Sequence, residues 1–139
     1  VQKGGGMEYL EEIVRFKNGI NKYIKKSSEE LNIIDALILT TLKEKPDTLA
    51  RDFSEIFETD PSYMTRNMIK LEKKDLVIRK RSGRKNYLFL TNKGEEVCRE
   101  VMGTKNEILK ELFTRIDSKD YRAGIRVLKT LTEILKEKI

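Results

Sequence analysis

Two short runs, at residues 76–81 and 85–90, are rich in Val, Ile, Tyr, Leu and Phe, with Ser82-Gly83 between them. These residue types favour strands, and so short a break containing glycine reads as a hairpin turn. Elsewhere the apolar residues recur at helical spacing. The expected fold class is therefore mainly α with one small β-hairpin (α+β), and the order of elements decides the architecture.

Leu10, Ile13, Val14, Ile20, Tyr23 and Ile24 predict a first helix over 7–26, interrupted at Ser27-Ser28. Asn32 is placed as an N-cap with Asp35 three residues on, a variant of the capping box. A second helix follows over 33–45, with Ala36, Leu39 and Leu42 on one face, and Pro46-Asp47 stops it. A third helix spans 48–58 and points Phe53 and Phe57 inward. Asp60 caps a fourth helix over 61–74, with Pro61 at the first helical position, where its missing N–H costs nothing. Met64, Met68 and Leu71 form its buried stripe. After the hairpin, Thr91-Asn92 caps a long fifth helix over 93–116, carrying Val97, Val101, Ile108 and Leu112 and weakened or bent at Gly103. Asp117-Ser118 breaks the chain before a sixth helix runs to the end. Three helices, a hairpin and long flanking helices describe a winged helix-turn-helix. The hairpin is the wing, and the fourth helix is the recognition helix.

Charge falls on the same elements. Residues 61–93 hold ten Lys or Arg against two acidic residues, Glu72 and Asp75, a net +8 where the whole chain is +6. A basic helix beside a basic hairpin suits a duplex, with its rows of phosphates and open groove. With Met64, Met68 and Leu71 inward, Ser62, Tyr63, Arg66, Asn67 and Lys70 lie on or near the outer face. Arg matches guanine, Asn matches adenine, and hydroxyls reach phosphate or base. The Pro61 end of the helix dipole favours a phosphate. Arg79, Lys80 and Arg81 alternate faces along a strand, so at most two of them point the same way.

The remaining composition excludes several functions. With one cysteine, Cys98, and no histidine, no intrachain disulfide or His-dependent triad can form, and a structural zinc site is not expected. No apolar run approaches transmembrane length and no secretory segment is evident, so the expected location is the cytoplasm, with no membrane partner. Abundant Lys, Glu and Ile with almost no Gln lean towards a thermophilic source. The leader VQKGGG, residues 1–6, reads as an appended scar ahead of Met7. Beyond it the chain is read as one compact subunit. Its parts are an N-terminal dimerisation helix (7–30), a winged-helix DNA-binding lobe (31–92) and C-terminal dimerisation helices (93–139).

The chain resembles the MarR family of transcriptional regulators. Three pieces carry the resemblance: Ser62-Tyr63-Met64-Thr65-Arg66, then Leu71-Glu72-Lys73-Lys74-Asp75-Leu76-Val77-Ile78-Arg79, then Leu90-Thr91-Asn92-Lys93-Gly94. They match the family pattern S-x-V-T-R, L-E-x-x-G-L-I-x-R and L-T-x-x-G in order and spacing. Asp75 stands where the family has glycine, and Asp tolerates a left-handed backbone better than most residues. The family's wing Asp-x-Arg becomes Ser82 and Arg84, and the wing is a few residues shorter. Minor-groove insertion by Arg84 is implied.

The resemblance implies a homodimer that represses transcription from a pseudo-palindromic double-stranded operator, often relieved by a small-molecule effector. DNA-contacting residues on the recognition helix are then Ser62, Tyr63, Thr65, Arg66, Asn67 and Lys70; on the wing they are Arg79, Arg81, Arg84 and Lys85. The terminal helices are more apolar than one subunit needs. Leu10, Ile13, Leu128, Leu131 and Leu135 are assigned to the dimer interface. Some relatives sense oxidants through a cysteine near the first helix; Cys98 lies on the fifth and reads as a small packed residue. No cofactor, metal or catalytic residue is expected, since the chain lacks a glycine-rich phosphate loop and a placed carboxylate pair. Two other readings share the basic patch: a non-specific architectural DNA-binding protein, and a winged-helix protein-interaction module in transcription machinery.

Overall fold

The computed structural model describes residues 4–26 and 29–139; the expected break at Ser27-Ser28 and residues 1–3 lie outside them. The elements are α1 (Met7–Ile24), α2 (Ile33–Glu44), α3 (Ala50–Ile56), α4 (Pro61–Lys73), β1 (Val77–Ser82), β2 (Lys85–Leu90), α5 (Asn92–Met102), α6 (Glu107–Thr114) and α7 (Ser118–Glu137). The chain divides into two compact units, one through Gly103 and one from Thr104 to Ile139.

In the first unit, α2 is central and packs against α1, α5 and β2. Its start is a full capping box. The Asn32 side chain accepts from the Asp35 N–H, and the Asp35 carboxylate accepts from the Asn32 N–H, each at 3.0 Å. Ala36, Ile38, Leu39 and Leu42 are buried beside Leu31, Phe53, Met64, Met68, Leu71, Leu76 and Leu88. Each large apolar side chain so enclosed contributes roughly 1.5–3 kcal/mol against conformational entropy. Phe57 is half-buried and stacks on Phe53 with ring centroids 6.1 Å apart, so only Phe53 is fully enclosed.

The third helix starts two residues later than its sequence suggests. Leu49 is extended (φ −71°, ψ 140°) and bridges Tyr87, while the Leu88 N–H donates to the Thr48 carbonyl at 3.1 Å. Residues 48 and 49 thus pair with the edge of β2 instead of joining the helix.

Helix α4 ends in a Schellman motif. The Leu76 N–H donates to the Leu71 carbonyl and the Asp75 N–H to that of Glu72, both at 3.0 Å, with Asp75 left-handed at φ 59°. Buried Leu76 against buried Leu71 is the apolar contact that accompanies this ending. The hairpin pairs Val77 with Leu90 through Ser82 with Lys85, and Gly83 (φ 64°) opens its two-residue turn. A positive φ at the first central position is what glycine supplies in such turns.

The long fifth helix expected over 93–116 is in fact two. Gly103 takes φ 83° and ψ 174°, a region open essentially to glycine alone, and Asn106 is left-handed at φ 55°. The chain therefore leaves the helix after Met102 and restarts at Glu107. Within the second unit, Phe113 of α6 meets Tyr121 of α7 edge-on at 5.2 Å, and neither helix has a fully buried residue.

Candidate nucleic-acid interface

Asp60 and Pro61 set the start of α4. The Asp60 carboxylate accepts from the Tyr63 N–H at 3.2 Å. An anion therefore already occupies the end of the helix at which a phosphate was expected. Beyond it, Ser62, Tyr63, Thr65 and Arg66 are exposed. The Arg66 guanidinium lies 5.9 Å from the centre of the Tyr63 ring, which holds both on one side of the helix. The Thr65 hydroxyl donates to the Pro61 carbonyl at 2.9 Å, so it faces outward as an acceptor.

Two residues expected on the outer face are placed differently. Asn67 is only 7% exposed and lies with Met64, Met68 and Leu71 on the inner face, its amide nitrogen without a partner among the described residues. The Met64-Met68-Leu71 stripe is wide enough to take Asn67 with it, since residues three and four apart share a helix face. Lys70 is half-buried and its ammonium pairs with Asp35 of α2. Ile69, by contrast, is 42% exposed beside Arg66 and Thr65. Ile69 is not among the residues assigned to the outer face above, although its angular offset from the buried stripe is readable from spacing.

The hairpin divides its cations as a strand should. Arg79 sits opposite Leu88 and Arg81 opposite Asn86, while Lys80 projects to the other face and lies 5.3 Å from the Phe89 ring. Arg79 pairs with Glu72 at 2.6 Å, and the Arg81 Nε donates to the Gly83 carbonyl at 3.1 Å. Arg84 and Lys85 stand exposed at the tip. Thr65 of α4, Arg51 and Ser54 of α3, and Arg79 and Asn86 of the hairpin line one groove of ≈ 340 Å³.

Some of the +8 is consumed internally. Lys74 and Lys93 both approach Glu29, at 3.6 and 3.2 Å, alongside the Lys70–Asp35 and Arg79–Glu72 pairs. Arg66, Lys73, Lys80, Arg81, Arg84 and Lys85 have no carboxylate within 4.0 Å among the described residues. These six are the exposed cations of the stretch left without a carboxylate partner, with Lys80 on the opposite face of the hairpin from Arg81.

Residues 31–84 match the model of the MarR family. This lobe is a MarR-family winged helix. The MarR fold extends to the rest of the chain in solved structures. A MarR protein from Peptoclostridium difficile aligns at TM-score 0.73 and 20% identity, covering 99% of this chain and 94% of that one. Sco3205, a MarR family transcriptional regulator from Streptomyces coelicolor solved in complex with DNA, aligns at TM-score 0.76 and 17% identity, with coverage of 91% and 82%. FabT of Streptococcus pneumoniae, also solved with DNA, aligns at TM-score 0.69 and 19% identity, with coverage of 95% and 96%. No curated protein matches the chain by sequence.

In the MarR lobe the three pieces of the family pattern have visible physical roles. The first presents the outer face of α4, and the second is the Schellman ending. The third clamps that ending to α5: the Thr91 N–H donates to the Leu76 carbonyl at 3.1 Å, and its hydroxyl to that of Asp75 at 2.5 Å. The assigned dimer residues Leu10, Ile13, Leu128, Leu131 and Leu135 are all exposed on their own unit. Cys98 is buried beside Thr40, and burial pushes its thiol above the ordinary range, with the Thr40 hydrogen bond and Lys43 pulling back less strongly. A raised thiol is a poor nucleophile. Among the described residues, no group of three His, Cys, Asp or Glu can hold a metal, and no helix is long and apolar enough to cross a membrane.

Proposed function

We propose that this chain is a DNA-binding transcription regulator that acts as a homodimer on a pseudo-palindromic operator. Helix α4 enters the major groove and the tip of the hairpin reaches the flanking minor groove. The observation that carries this reading is a polar, cationic outer face at the front of α4 (Ser62, Tyr63, Thr65, Arg66) on a MarR lobe whose hairpin tip bears Arg84 and Lys85. Arg66 and Tyr63 supply base contacts, while Arg81, Arg84, Lys85 and Lys73 supply phosphate or minor-groove contacts. That Sco3205 and FabT are solved with DNA supports the assignment.

The dimer is supported by the apolar residues that the terminal helices leave open. Leu10, Ile13, Val14 and Phe16 on α1, and Ile125, Leu128, Leu131, Ile134 and Leu135 on α7, are each 39% exposed or more. So much apolar surface on a soluble subunit favours a covering partner, and a two-fold copy would display two α4 helices about one helical turn of DNA apart. Repression relieved by a small effector completes the reading. A cleft of ≈ 240 Å³ lined by Tyr23, Ile24, Lys26, Glu100 and Val101 offers such a molecule a place.

The test is selection of bound duplexes from a random pool at near-physiological salt. An inverted repeat with half-sites about one turn apart is the expected result. Tight binding without an enriched motif would replace this function with non-specific architectural binding. Negligible binding would favour a protein-interaction role.

A further inference from the structure

We propose that Asp35 and Lys70 together set the rotational position of α4, so that Lys70 is a positioning residue for base readout and does not itself contact DNA. The inference rests on the DNA-binding reading above. It concerns how that reading is built into the core.

Asp35 lies in the first turn of α2 with no solvent exposure. A carboxylate in that setting persists only when paired and hydrogen-bonded. Its Oδ2 takes two donors, the Asn32 N–H at 3.0 Å and the Lys70 ammonium, while Oδ1 has no partner among the described residues. On the facing helix the Asn67 amide nitrogen, also buried, is equally unmatched. The Asp35–Lys70 ion pair is a polar seam between α2 and α4.

Lys70 stands at the border between the inner and outer faces of α4, 34% exposed at its side chain. It is four residues from Arg66, on the same ridge. Any rotation of α4 that released Lys70 to solvent would carry Arg66 and Tyr63 around with it. The seam is also referenced to α1, because the Asn21 side chain accepts from the Ile33 N–H at 3.0 Å in the same turn of α2. Asn21, Asn32, Asp35 and Lys70 thus tie the first helix to the recognition helix through one turn of backbone.

The experiment compares Lys70→Met, Asp35→Asn, the double variant and Lys70→Arg with the full-length parent. Duplex affinity is measured against salt, and backbone hydrogen exchange is followed in the free protein. The expected result is a loss of affinity of about tenfold in each single variant and no further loss in the double. The slope of log affinity against log salt should stay unchanged, Lys70→Arg should recover most of the loss, and the α4 amides should exchange faster while those of α5 do not. A slope smaller by about 0.9 in Lys70→Met, with Asp35→Asn behaving like the parent, would make Lys70 a phosphate contact and overturn the proposal. If the parent binds no duplex, the DNA-binding reading fails by itself. Hydrogen exchange then decides the positioning role: unchanged α4 protection in both single variants rejects it, and selective loss upholds it.

Discussion

A β-carbon on Gly94 would lie 2.1 Å from the carbonyl oxygen of Leu76 and 3.0 Å from its carbonyl carbon. The neighbour is backbone, and that backbone is the left-handed ending of α4, held by Leu71 and Glu72 from one side and by Thr91 from the other. The glycine in Leu90-Thr91-Asn92-Lys93-Gly94 is therefore what lets α5 close on the end of the recognition helix. Alanine would gain about 1 kcal/mol of helix propensity, far less than forcing a carbonyl aside costs in a packed junction. Gly94→Ala should lower unfolding stability by at least about 2 kcal/mol, read as a shift in urea midpoint. A midpoint equal to or above the parent's would show that the junction yields freely.

Asp75 holds φ 59° at the C′ position of α4, where glycine is preferred. Asp75→Gly removes a side-chain penalty but adds unfolded-state freedom, so stability should change by no more than about 1 kcal/mol, in the stabilising direction. Asp75→Val places a β-branched residue in the left-handed region and should cost about 1–3 kcal/mol. Thermal unfolding of the two variants, with equal losses in both, would mean that the left-handed turn does not govern stability here.

Arg84 is exposed at the wing tip beside Gly83. Arg84→Ala should weaken binding most at operators with A/T-rich flanks, where the minor groove is narrow and its potential most negative. Competition between duplexes that differ only in their flanks makes the measurement. Equal losses on every flank would assign Arg84 to phosphates.

Arg66 and Ile69 face outward on α4, whereas Asn67 does not. Arg66→Ala should relax preference at one position in each half-site by about 1–3 kcal/mol. Ile69→Ser should weaken preference at a different position, one where a thymine methyl is favoured. Motif selection with each variant checks both, and an unchanged profile for Arg66→Ala would refute the orientation assigned to α4.

Burial raises the Cys98 thiol above its ordinary value, with Thr40 and Lys43 opposing and Glu44 and Glu95 adding to the rise. For a group raised in the folded state, the stabilising contribution is fully present below the unfolded thiol value of about 8.5. It is lost as pH rises through the folded value. The parent should lose more stability on going from neutral to alkaline pH than Cys98→Ala does, in parallel denaturation series. At neutral pH the native thiol should react with a disulfide reagent at least about tenfold more slowly than the unfolded one. Identical pH curves for the two proteins would place Cys98 in a more open environment.

Much of this architecture was readable from residue order. Asn32 with Asp35, Asp60 with Pro61, and Thr91-Asn92 are local signals, because a cap needs only its own turn of backbone to form. The hairpin was equally plain from the change of residue types around Ser82-Gly83. The left-handed end of α4 was implied by the family resemblance, in which Asp75 stands in the place of a glycine.

What sequence left open needed contacts between distant residues. Thr48 and Leu49 abandon the third helix because β2, nearly forty positions on, offers unpaired backbone. Gly103 was seen as a weak point, but only its φ of 83° shows that the chain stops and restarts. Asn67, three residues after Met64 and four before Leu71, shares their inner face by spacing, whereas Lys70 belongs to the outer edge by spacing alone. Tertiary packing decides otherwise, because a buried carboxylate at Asp35 requires a cation and α4 is the helix that brings one. Sequence by itself determined the caps of α2, α4 and α5, the hairpin and where positive charge gathers, all properties of neighbours along the chain. Only the tertiary structure decided which of those charges face outward, because pairing with Asp35, Glu29 and Glu72 depends on which helices meet.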